Sequence, residues 1–182
     1  MLRFLSTFTL AVCVGWWWFQ PASVAAVDAT GALSYPGYSV QPLERFELTG
    51  RVLSKQRYSH DREAELSPVD LAMGWGPMAD PEVLAAFEIS QRNRWYFWRT
   101  DNMPIPRRDI ESHSANIHII PASQQVADAL DRVSEDEQLQ LSGHLVEVRG
   151  DDGWRWRSSL SRTDTGDGSC EVLLLESIRP AS

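Results

Sequence analysis

Two alternating apolar–polar runs, Leu139 to Val148 and Trp154 to Leu160, flank Gly150-Asp151-Asp152-Gly153. This pattern does most to limit what the chain can fold into. Alternation with a period of two is the mark of a half-buried strand. Asp-Gly is a favoured two-residue hairpin turn. The apolar phase slips between Leu145 and Val146, which predicts a bulge. Elsewhere, Phe46, Leu48 and Val52 alternate with polar residues, and Gly50 on the apolar side marks a bend. Phe87 to Ser90 and Arg94 to Arg99 read as strands around Gln91-Arg92-Asn93, followed by a short apolar run at Ile117 to Ile120. Val126, Leu130 and Val133 then share one helical face, with Ser123 placed to cap it. Cys170 to Ile178 is the last strand. Two shorter helix starts are predicted, at Ser67-Pro68-Val69-Asp70 and Asp80-Pro81-Glu82. The fold class is therefore mainly β with short helices (α+β). Strands, then a helix, then more strands suit a small bent β-barrel of the oligonucleotide/oligosaccharide-binding (OB) type.

The N-terminus is of a different kind. Met1-Leu2-Arg3 is a short basic start, Phe4 to Phe19 is almost wholly apolar, and Pro21 to Ala26 supplies a breaker and small residues. That is the plan of an export signal. Cleavage after Ala25 and cleavage after Ala26 fit equally well. The apolar run falls just short of the ~17–25 residues of a spanning helix, and Trp16-Trp17-Trp18 sits where interfacial aromatics collect. Residues 1–26 are thus a signal peptide or an uncleaved anchor through residues 4–19. Residues 27–42 read as a linker and residues 43–182 as a single β-rich domain. The predicted location is outside the cytoplasm, either periplasmic or anchored on the periplasmic face of the inner membrane.

The net charge of −8, from 17 Lys and Arg against 25 Asp and Glu, argues against nucleic acid as a partner, because phosphate binding needs a basic surface. Loss of the leader removes Cys13 and leaves Cys170 alone, which excludes an intrachain disulfide in a cleaved product. Its strand phase, shared with Val172, Leu174 and Ile178, points inward.

Three segments carry a family resemblance: Ser67-Pro68-Val69-Asp70-Leu71-Ala72-Met73-Gly74-Trp75-Gly76, Ser112 to Pro121, and Gly153 to Leu160. They resemble a family of uncharacterised bacterial exported proteins. The resemblance implies an envelope setting and carries no catalytic residue across.

Several residues are candidates for chemistry. His113 and His118 are five apart, on opposite faces of a strand. Even with His60 and His144 they complete no recognisable ligand set, so no metal and no cofactor is expected. Cys170 with His113 or His118 and Asn116 could serve as nucleophile, base and orienting amide. Ser158 and Ser159 lack a nucleophile-elbow pattern. Asp164 to Gly168 offers oxygen ligands without the full calcium-loop spacing. Trp154 and Trp156 share one strand face, and Arg155 and Arg157 share the other. The expected partner-binding residues are Trp75, Trp98, Arg155 and Arg157, since Trp and Arg dominate binding hot spots. The resulting expectation is a non-enzymatic exported module that binds an envelope protein or a glycan. The alternative is an envelope hydrolase using His113, His118 and Cys170.

Overall fold

In a computed structural model of the chain, residues 33–161 and 170–181 are described. The elements run β1 Leu33–Tyr35, β2 Tyr38–Arg57, β3 Val69–Gly74, α1 Pro81–Leu84, β4 Glu88–Arg92, β5 Trp95–Arg99, α2 Arg107–Ser112, β6 Ser114–Pro121, α3 Gln124–Arg132, β7 Gln138–Gly150, β8 Arg155–Arg157 and β9 Glu171–Pro180. β2 pairs with β7 from Tyr38 to Arg51 and with β3 from Arg51 to Arg57. β3 pairs antiparallel with β6, β6 runs parallel to β9, and β9 runs antiparallel to β7. Because β7 returns to β2, these five strands form a ring, β2-β3-β6-β9-β7. This is a strongly bent Greek-key barrel of the OB type.

Local chemistry explains the curvature. β2 changes partner at Gly50 and Arg51. A Cβ on Gly50 would lie 2.5 Å from the Gly74 carbonyl oxygen, so only glycine lets β3 cross so close. The phase slip at Leu145–Val146 marks a real irregularity. The β2–β7 pairing steps from Pro42 to Glu44 opposite it, so the extra residue, Leu43, lies on the partner strand. Leu145 then enters the barrel core, and Val146 enters a second apolar cluster outside it.

The barrel core holds Leu71, Met73, Ile117, Ile119, Leu141 and Leu173, and α3 contributes Val126 and Leu130. Ser123 caps α3 by accepting a hydrogen bond from the Val126 amide at 3.3 Å. The second cluster gathers Tyr35, Val40, Leu66, Val146, Val148 and Val172, with Trp154 and Trp156 packed against it. The tryptophan face of β8 is therefore turned to apolar surface, while Arg155 and Arg157 are exposed.

Several boundaries differ from the sequence reading. The helix start predicted at Ser67 is the entry to β3, whose every residue is buried. A capping box is a local preference, and pairing with β2 and β6 on both edges overrides it. β2 begins at Tyr38, inside the expected linker, because Val40 is fully buried in the second cluster. Cys170 lies half-buried just ahead of β9. Residues 1–32 and the Asp164–Gly168 stretch lie outside the described residues.

Candidate functional site

β4 and β5 form a separate two-stranded hairpin inserted between the second and third barrel strands. Asn93 and Arg94 both have positive φ, at 52° and 67°, which is the type I′ turn that matches strand twist. Arginine is uncommon in this region. Its side chain accounts for the exception. Arg94 reaches back to the barrel, donating from Nε and Nη2 to the two oxygens of Asp61 at 2.8 and 2.6 Å. Its Nη1 donates to Asp70 Oδ1 at 2.8 Å and to the Ser67 carbonyl at 2.9 Å. Burial opposes the charge on Arg94, but the two carboxylates outweigh it and raise its pKa. The Asp61 carboxyl is held below its usual range, chiefly by the Arg94 hydrogen bonds.

Asp70 is wholly buried. It stands opposite His118 in the β3–β6 register. His118 Nδ1 lies 2.9 Å from Asp70 Oδ2, within ion-pair range but off the line of a good hydrogen bond. The Trp156 ring packs 5.1 Å from the His118 ring. Further along the hairpin, Gln91 donates to Asn116 at 2.6 Å, and the Tyr96 hydroxyl bonds Ser114. The outer face of β3 and β6 is thus covered by the chain's own hairpin, through polar contacts with Asp70, Asn116 and Ser114.

The other side of the hairpin looks outward. Strand pairing sets Arg92 beside Trp95, Ser90 beside Phe97 and Glu88 beside Arg99. Phe97 is 38% exposed, unlike the other aromatics among the described residues, which are buried or half-buried. The Arg92 guanidinium lies over its ring, 4.1 Å from the centroid. Arg99 is held by Glu88 at 2.8 and 2.9 Å. Half-buried Trp95 and exposed Phe97 thus alternate along this face, between Arg92 and the Glu88-paired Arg99. From Phe87 to Arg108 the chain carries Arg92, Arg94, Arg99, Arg107 and Arg108 against Glu88 and Asp101. Of these, Arg94 is paired with Asp61 and Asp70, Arg99 with Glu88, and Arg107 with Glu111.

A second charged group lies on the β7–β8 hairpin. Glu147 is 2% exposed and accepts from Arg149 at 2.5 Å, Arg155 at 2.8 Å and Arg157 at 2.6 Å. The Arg155 hydrogen bond is the main cause that holds its pKa down to about 2; burial opposes it, and Arg157 and Arg149 assist. A depressed carboxyl contributes stability above its unfolded pKa and loses it as pH falls through the folded one. Wild-type protein should therefore lose this contribution between about 4.5 and about 2. In Glu147→Gln, acid unfolding followed by circular dichroism should lose less stability across that interval than wild type does. Parallel curves for the two proteins would contradict the assignment.

The residues singled out by sequence fall in separate places. Trp75 is half-buried, its ring 6.5 Å from that of His113. His113 Nδ1 lies 2.9 Å from the Asp109 carbonyl oxygen, so His113 and His118 serve different neighbourhoods. Trp98 is on the inward side of β5, edge-on to Phe87 at 5.9 Å with Arg107 above it at 5.6 Å. Arg155 and Arg157 are exposed and gathered on Glu147. Among the described residues no cluster of three or more His, Cys, Asp or Glu could hold a metal. Sequence reasoning missed Arg94, Asp70, Glu147 and Phe97, and weighed Trp95 only as one of the tryptophans, with Trp75, Trp98, Trp154 and Trp156, that are either core or binding face; Trp95 and Phe97 form the outward pair. The signal for that pair was legible, because Trp95, Phe97 and Arg99 alternate along a predicted strand.

No protein-family model and no curated protein matches the chain in sequence. In structure it is similar to the small single-stranded DNA-binding protein of Streptomyces coelicolor, at 12% identity and a TM-score of 0.32, over 78% of this chain and 94% of that one. It is also similar to Rim1 of S. cerevisiae, at 11% identity and a TM-score of 0.27, over 77% of this chain and 96% of that one. Both are single-stranded DNA-binding proteins.

Two expectations are corrected here. The structures found similar are single-stranded DNA-binding proteins, not envelope-protein or glycan modules, and the three arginines gathered on Glu147 show that an acidic net charge does not by itself exclude nucleic acid. The hydrolase alternative needs His113 and His118 together, and they lie against different partners, the Asp109 carbonyl and Asp70. The physical error lay in using net charge, which is a sum over the surface, to judge a local patch.

Proposed function

We propose that this protein binds single-stranded nucleic acid through the outward face of the β4–β5 hairpin. The observation that carries the reading is the exposed Phe97 with Arg92 lying over its ring, beside Trp95 on the same face. Unpaired bases stack on aromatic side chains whatever their sequence, and arginines track the phosphates. A duplex hides its base faces, so the aromatic pair favours single strands. OB barrels commonly bind through the outer face of their second and third strands. Here that face is filled by the inward side of the hairpin, and the outward side offers aromatic surface in its place.

Fluorescence anisotropy with a labelled oligothymidine strand tests the reading. Binding at low salt, weakening as salt rises and stronger than to a duplex of the same length, is the expected result. No binding at low salt, or equal binding of duplex and single strand, would overturn it.

Export is part of the same proposal. The basic start, apolar run and small-residue site of residues 1–26 support it. The full chain fused to a reporter that works only outside the cytoplasm should give an active reporter. Activity from a cytoplasmic reporter alone would remove the export claim.

A further inference from the structure

We propose that Arg149, Arg155 and Arg157 form a phosphate-binding patch that holds the backbone of the strand stacked on β4–β5; this rests on the reading above. Three guanidiniums converge on the single carboxylate of Glu147. One cation would neutralise that carboxylate, so the cluster carries two positive charges in excess. The three arginine side chains are 44–56% exposed. Each guanidinium has five N–H donors, and Glu147 takes one from each. Glu147 thus fixes three forks on one face and leaves their other donors to solvent. Planar forks of this kind match phosphate oxygens. The pairing of β2 with β7 adds neutral neighbours, Ser39 beside Arg149 and Gln41 beside Glu147, so no further carboxylate in that register competes.

The two hairpins are joined structurally. The loop between β2 and β3 holds the β4–β5 turn through Asp61 and Arg94. Its next residue, Arg62, holds the β7–β8 turn through both oxygens of Asp152, at 2.7 and 2.8 Å. One loop therefore ties the β4–β5 turn to the β7–β8 turn, where Arg62 also stacks on Trp154.

The test has two probes. First, inorganic tripolyphosphate is titrated into the whole protein while the arginine Nε–H signals are followed by NMR. The signals of Arg149, Arg155 and Arg157 should shift together, and Glu147→Gln should bind the probe more tightly because its forks are released. No shift at these arginines, or unchanged affinity in Glu147→Gln, overturns the patch. Second, oligothymidine binding is measured against salt. The double variant Arg155→Gln/Arg157→Gln should lower the slope of log affinity on log salt by about 1.4, at ~0.7 per lost phosphate contact on a single strand. If wild type binds the strand and this variant matches its slope, the patch fails while the stacking reading stands. If wild type does not bind the strand, the stacking reading fails and takes the patch with it. Vesicles of phosphatidylglycerol form the control: stronger arginine-dependent binding to vesicles than to the strand would also overturn the assignment.

Discussion

Arg94→Ala will destabilise the domain by about 3–5 kcal/mol, the usual cost of stranding one partner of a buried ion pair. Arg94 is 13% exposed, and Asp70, which it serves, is not exposed at all. Without the guanidinium, Asp70 keeps only His118 at 2.9 Å and a long contact to Asn116 at 3.4 Å. The β4–β5 turn would also lose its tie to Asp61 and to the Ser67 carbonyl. Arg94→Lys restores charge without the fork and should recover part of the loss. The decisive comparison is the double variant Arg94→Met/Asp70→Asn. It removes both charges and should be more stable than Arg94→Ala alone, because no bare carboxylate remains inside. Chemical denaturation of the three variants measures this. An Arg94→Ala protein within about 1 kcal/mol of wild type, the size expected of an exposed pair, would show that Asp70 is solvated in solution.

Phe97→Ala should weaken oligothymidine binding by roughly five- to 150-fold, from about 1–3 kcal/mol per stacked base. Trp95→Ala should act in the same range. Both residues are on the outward face of β5, away from the contacts that pin the hairpin. The thermal midpoint of Phe97→Ala should therefore stay close to wild type. Phe97→Tyr keeps an aromatic face and should retain most of the affinity, which separates stacking from mere bulk. Arg92→Gln removes the guanidinium over the ring and should reduce both affinity and its salt dependence. Folded Phe97→Ala and Trp95→Ala proteins that bind like wild type would remove stacking from this face.

The two variant sets probe opposite sides of one small hairpin. Its inward side is bonded to the barrel through Gln91 and Tyr96, with Ile89 and Trp98 half-buried beside them. Its outward side carries Glu88, Ser90, Arg92 and Arg99 around the partly exposed Phe97.

The sequence by itself determined most of the strands, β1 and β3 excepted, and the helix α3, because alternation with a period of two and a capped apolar helical stripe are local signals. Leu139 to Val148, the Asp152-Gly153 turn and Ser123 ahead of Val126 all specify their structure through near neighbours. Even the separation of Trp154 and Trp156 from Arg155 and Arg157 follows from strand geometry alone. Only the tertiary structure decided the site. Asp70 reads as a helix-start residue until β6 brings His118 opposite it and a turn more than twenty positions away delivers Arg94. Glu147 reads as one polar position in a strand until β8 folds two arginines over it. Which side of the Trp95–Arg99 strand faces water depends on what the barrel presents to the other side. Buried charges meet across long sequence separations, and no local pattern records which partner the fold will bring.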